Sequence, residues 1–359
     1  MNNLPAVARF MLVMAAFVIV MAGVKAAEAL LVPFLLSVFM ALIFSPLLAW
    51  LKLKRVPSAL AIMLIVFAVV ALGSLFGAVI GTSVRDFRAD LPDYQLRLQV
   101  LNESAQQWLL SKGIPLDTDI WQRSVNPSVV MQLVGNMLSS FGNVMTNTFL
   151  ILLTVIFIFA EEVGFREKLL YARGAESSLF ALENFVRSVN RYLVLKTLLS
   201  VLTGILVVCL LWVLDVDYPV MWGLIAFLLN FIPTVGSFLA AIPAVLLALI
   251  QLGPSEAGLV ALGYVLINVV IGNVLEPRWM GKGLNLSPLV VFLSLVFWGW
   301  ILGPVGMLLS IPLTIMVKLA LEADVNTQWL GIMLGSGHEP LKPAVEEPHE
   351  KIAPNELDR

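Results

Sequence analysis

Asn268-Val269-Val270-Ile271-Gly272-Asn273-Val274-Leu275-Glu276-Pro277-Arg278 closes an apolar segment long enough to cross a bilayer. The stretch sets two amides, a carboxylate and a proline at the end of that segment. A carboxylate at membrane depth is expensive. It persists where it pairs, lines a cavity or carries protons. Glu276 therefore marks a membrane protein built around a polar path, and the residues beside it are the first candidates for that path.

The bulk composition agrees. Of 359 residues, 60% are hydrophobic and 13% charged, and the mean hydropathy is +0.94. An ordinary globular domain carries roughly 25% charged residues. The 22 Lys and Arg are spread along the chain and assemble no large basic surface, so nucleic acid is not an expected partner. The single cysteine, Cys209, has no disulfide partner and is expected as a small apolar packing residue. His338 and His349 both lie in the polar tail, so a histidine-based catalytic or metal site within the membrane is not expected. Gly281-Lys282-Gly283 is only a fragment of a nucleotide-binding loop. No cofactor, metal or enzymatic activity is expected.

A helix needs about 20 apolar residues to cross the hydrocarbon. The hydropathy pattern predicts spans at 7–24, 29–50, 58–82, 141–160, 193–214 and 256–276, with over-long apolar stretches at 219–250 and 286–319. The first span is read as an uncleaved anchor, because its run is long and a second span follows at once. The predicted fold is an all-α integral membrane protein of about eight hydrophobic segments, the two over-long ones being broken or re-entrant hairpins. Four regions follow. Residues 1–82 form three spans, 83–140 an extracytoplasmic helical region, 141–321 a transport core and 322–359 a disordered cytoplasmic tail. Apolar residues at three- and four-residue intervals over Val84–Leu110 predict amphipathic helix, and Asn126-Pro127-Ser128 offers a fresh helix start into Val129–Leu138.

Lys and Arg in short loops set the orientation. Lys52, Lys54 and Arg55, the basic residues of 161–192, and the pair Arg278 and Lys282 fall on one side if both termini are cytoplasmic. The turn Asp215-Val216-Asp217-Tyr218 carries no base, and its aspartates are expected to be solvated.

The two over-long stretches echo each other. Both contain Pro, then Gly, then an apolar run ending in Ile-Pro: Pro233, Gly236 and Pro243 in one; Pro304, Gly306 and Pro312, preceded by Gly303, in the other. Proline removes a backbone donor and clashes with the preceding turn. Non-helical backbone at membrane depth is tolerated only inside protein or beside a water-filled cavity. Paired interruptions of this kind point to a transport site; the alternative is kinked spanning helices whose glycines pack against neighbours.

On a helix, Tyr264, Asn268, Gly272 and Glu276 recur every four residues and share a face, with Asn273 beside them. Asn230 sits at the first break, where its short side chain cannot snorkel. Lys196 lies three residues into an apolar run and either belongs to the path or snorkels to the cytoplasmic surface. Glu276 has Arg278 and Lys282 as its nearest bases in sequence and, as the alternative, is an interfacial anchor. The transport-path candidates are Glu276, Asn273, Asn268, Asn230, Lys196 and Arg278.

Three motifs carry a resemblance: Asn230-Phe231-Ile232-Pro233-Thr234-Val235-Gly236-Ser237, Gly272-Asn273-Val274-Leu275-Glu276-Pro277-Arg278-Trp279-Met280-Gly281 and Leu286-Ser287-Pro288-Leu289-Val290-Val291-Phe292-Leu293-Ser294. With them the chain resembles the autoinducer-2 exporter family (PerM-like permeases) from the first span to about residue 321. The resemblance implies a multi-pass bacterial inner-membrane protein of eight spans, a homo-oligomer with a pentamer suspected, and export of the quorum-sensing signal autoinducer-2. Sodium/proton antiport is the alternative activity that it implies. The expected function is secondary export of a small polar cargo, with proton or sodium coupling.

Overall fold

The computed structural model describes residues 5–112, 150–161, 176–280, 286–322 and 327–336. Among them the chain is helical and contains no strand. The helix start near residue 127, Lys282 and the acidic tail beyond 336 lie outside the described residues.

Helices α1 (Ala6–Ala26) and α2 (Glu28–Leu53) are joined by a single residue. Helix α3 runs unbroken from Ser58 to Ser111. At 1.5 Å per residue it is about 80 Å long, more than twice the hydrocarbon thickness. Its first half is apolar; the amphipathic stretch that follows simply prolongs the same helix. Helix α4 covers Leu150–Glu161. Helix α5 (Glu176–Val213) leads through a turn to the first hairpin, α6 (Pro219–Leu229) and α7 (Val235–Gln251). Helix α8 (Pro254–Asn268) passes into a π-helical stretch, Val269–Leu275, and on into α9 (Glu276–Met280). The second hairpin lies within α10 (Pro288–Leu308), which reverses at Gly303, and its return arm continues into α11 (Ser310–Glu322), followed by the short α12 (Gln328–Met333). Among the described residues five helices are, by length and composition, long and apolar enough to cross a membrane: α2, α3, α5 from Val186, the run Pro254–Trp279, and α10. This is an all-α, multi-pass membrane protein.

Both over-long stretches reverse direction at their Pro-Gly elements. In the first, Asn230–Thr234 leaves the helix, and Thr234 takes a left-handed φ of 58°. The reversal lays Gly236 directly on the Leu229 carbonyl, where a methyl group would overlap it. In the second, Gly303 is non-helical at φ 61°, ψ −150°. Gly306 then lies on the Trp298 carbonyl, and Met307 packs over Gly299. Residues seven or eight apart along a straight helix are about 10–12 Å apart, so these contacts require a hairpin. The kinked-span alternative is excluded at both breaks. Pro243 and Pro312 have a different place: they sit buried inside α7 and α11 rather than in the reversals.

A proline within a helix frees the carbonyl one turn earlier, and a partner from a distant helix occupies one such carbonyl. Pro46 leaves the Leu42 carbonyl without its helical donor, and the Asn190 side chain of α5 donates to it at 2.9 Å. The Trp300 carbonyl is free for another reason, since its helix ends at the Gly303 reversal; it accepts from Lys25 of α1 at 2.6 Å. The Lys25 ammonium also lies 4.7 Å from the centre of the Trp300 ring.

Two expectations are corrected. Cys209 does not pack inside; it is exposed on the outer face of α5. Of the turn aspartates, Asp217 is bound rather than merely solvated, while Asp215 is exposed as expected. Tyr94 of α3 donates to Asp217 at 2.6 Å, and Tyr218 donates to Asp90 of α3. Gln251 accepts from the Asp217 amide and donates to the Asp215 carbonyl. Arg97 donates to the Gln251 carbonyl at 2.7 Å. The far half of α3 is thereby fastened to the turn before α6 and to the end of α7, with Phe87 and Tyr94 buried against Val216, Met221 and Trp222.

Candidate functional site

Helix α5 carries one polar face. Tyr192, Lys196, Ser200 and Thr203 follow each other at spacings of four, four and three residues, so they line a single side. All four are buried, between 0% and 4% exposed. Close contact between α5 and α6 helps seal this side. Gly204 and Gly223 lie carbonyl to α-carbon, and a methyl on either would meet the other's backbone within 3 Å.

Lys196 is the charged member. Its ammonium lies 3.0 Å from both carboxylate oxygens of Glu276, so it donates to each. The side chains are 5% and 25% exposed respectively. The lysine is enclosed while the carboxylate keeps an opening. Lys196 therefore does not snorkel, and the base that meets Glu276 is 80 residues away in sequence rather than Arg278, which is exposed. In such surroundings an unpaired charge would cost several kcal/mol, and pairing offsets it.

One turn further along α5 stands a neutral group. Asn230, at the reversal of the first hairpin, donates to the Ser200 hydroxyl at 3.0 Å and accepts from Ser237 at 3.4 Å. The first hairpin and the Glu276 segment thus meet the same face of α5, with the ion pair and the amide–hydroxyl group one turn, about 6 Å, apart along its axis.

The remaining candidates fall elsewhere. Asn268 is half-buried, and Asn273 and Gly272 are exposed. Tyr264, on the inner side of α8, is buried with its hydroxyl unpartnered. Gly303 and Pro304 form the second reversal, beside Lys25 and Glu28. Tyr192, Ser200, Thr203 and Ser237 join the site although the hydropathy reading passed over them. For the three on α5 the signal was present as a recurrence at three- and four-residue spacing.

A family model described as AI-2E family transporter matches residues 11–326. The chain belongs to the AI-2E transporter family. It is 41% identical over 328 residues to the AI-2 transport protein TqsA of Escherichia coli (strain K12), covering 91% of this chain and 95% of that one. It is 40% identical over 337 residues to a putative transport protein of Haemophilus influenzae, with 91% and 96% covered. It is 34% identical over 329 residues to the putative transport protein YhhT of E. coli K12, with 91% and 94% covered. This AI-2E family member is thus a membrane transporter. The family match spans both hairpins, α5 and the Glu276 segment, and so takes in the whole of the candidate site.

Proposed function

We propose that this transporter is a secondary exporter of a small polar metabolite, autoinducer-2 first among the candidates, acting in the bacterial inner membrane. One observation carries the reading: the enclosed Lys196–Glu276 pair on α5, with the Asn230–Ser200–Ser237 group one turn away. The name of the TqsA relative supports the choice of cargo.

The chemistry fits a hydroxylated cargo. Amide and hydroxyl groups both donate and accept, so Asn230, Ser200 and Ser237 can exchange their mutual hydrogen bonds for bonds to a polyol. The ion pair supplies coupling. While Glu276 is ionised, Lys196 holds it. A proton on the carboxyl removes the charge that the ammonium binds and frees the two side chains to part. The Glu276 side chain is 25% exposed, which leaves its carboxyl reachable by a proton. Nothing in the family match or in the three relatives' names supports sodium/proton antiport.

The test uses purified protein in liposomes under an imposed pH gradient, with autoinducer-2 in one set and sodium in another. Gradient-driven movement of autoinducer-2 that exceeds empty liposomes supports the reading. Sodium movement with no movement of autoinducer-2 overturns it.

A further inference from the structure

In an α-helix each residue turns the chain by about 100°. Ile271 lies seven residues past Tyr264, and both are buried, Ile271 at 2% and Tyr264 at 2%; seven residues return to within about 20° of the same direction. Glu276 lies five residues past Ile271. In α register it would point about 140° away, and Leu275 would take the inward place at about 40°. Glu276 nevertheless meets Lys196.

The π-helical stretch Val269–Leu275 explains this. A π turn holds one residue more than an α turn. With one residue taken up, Glu276 occupies the place that four residues would reach. The backbone records it directly: the Glu276 amide donates to the Ile271 carbonyl, five residues back.

Little holds the stretch in this form. Within it Ile271 is buried, while Val269, Val270, Gly272, Asn273 and Val274 are exposed. A methyl on Gly272 would meet nothing within 4 Å. Pro277 follows with no N–H to give, so that place adds no hydrogen bond to the ladder in either register. The α and π forms differ little in burial and hydrogen bonding apart from the ion pair itself.

We propose that Val269–Leu275 is a register switch: in π form it sets Glu276 opposite Lys196, and in α form it sets Leu275 there. Glu276 then turns by about 100° toward the outer face of the helix. The proposal rests on the reading that the ion pair lies on the transport path, and supplies the motion that breaks it.

The test follows from the arithmetic. Deleting Val270 removes the surplus residue. The healed α-helix keeps Glu276 opposite Lys196 but has no second register. Cysteine pairs at 196 and 276, and separately at 196 and 275, report the two registers by cross-linking in membranes, in a Cys209→Ser background. The switch requires that both pairs cross-link in the full-length chain, that the deletion leaves only the 196–276 cross-link, and that the deletion variant loses transport. Absence of the 196–275 cross-link in the full-length chain overturns the switch, whether or not the deletion variant folds. So does a deletion variant that transports normally. If both cross-links form yet Glu276→Gln transports as the parent does, the register switch stands and the place of the ion pair in transport falls.

Discussion

Lys196 and Glu276 hold each other in a place where neither is comfortable alone. Removing one partner strands the other, and for enclosed pairs that costs about 3 kcal/mol, whereas replacing both by apolar groups of similar size is near neutral. Glu276→Gln is therefore expected to lower the melting temperature of the detergent-purified protein, and Lys196→Met with Glu276→Leu to recover most of that loss without restoring transport. A double variant as unstable as the single one would show that the pair matters less than the shape around it. The two residues were visible in the sequence; their pairing was not. Within the local chain Arg278 and Lys282 are the nearer bases, and Lys196 had an open route to the surface by snorkelling. Only the packing of the Glu276 segment on α5 decides between these partners. Asp217 repeats the lesson. It sits in a polar turn, and nothing local announces that Tyr94, 123 residues earlier, reaches it.

Among the elements, prolines and glycines do most of the shaping. Asn190 donating to the Leu42 carbonyl compensates for the amide that Pro46 lacks. Asn190→Ala leaves that carbonyl bare, at a cost of about 1–2 kcal/mol for a buried acceptor. Adding Pro46→Ala returns a helical N–H to Leu42 and is expected to recover part of the loss. A thermal double-mutant cycle measures the coupling, and additive losses would refute it. At the first reversal, Gly236→Ala forces a methyl onto the Leu229 carbonyl. It is expected to spread the hairpin, reduce transport and lower stability, measured as transport rate at matched protein level. Both breaks were legible because Pro and Gly act locally on the backbone. The length of α3 was not. Its sequence changes from apolar to amphipathic near residue 83 while its 3.6-residue period continues, so a change of surroundings read as a change of element. The π turn was hidden for a related reason. The four-residue recurrence of Tyr264, Asn268, Gly272 and Glu276 reads as one face, yet in a straight helix it drifts by about 40° per step. The surplus residue brings Glu276 back inward and leaves Gly272 outside.

For the whole molecule, hydropathy alone defined the class and most of the spans, since lipid leaves few structures open to a chain. Orientation is a separate matter and is testable. With cytoplasmic termini, an introduced cysteine at Lys54 is shielded from a membrane-impermeant thiol reagent in intact cells, and one at Gln107, exposed on the far half of α3, is labelled. The reverse pattern would invert the molecule. The central claim is that the Lys196–Glu276 pair couples protons to the movement of cargo. The most direct measurement is the transport rate of purified protein in liposomes as a function of pH, for the parent and for Glu276→Gln at matched protein levels. The pH dependence of the parent is expected to vanish in Glu276→Gln. Parallel curves for the two proteins would contradict it, and would leave Asn230, Ser200 and Ser237 as a site that works without Glu276.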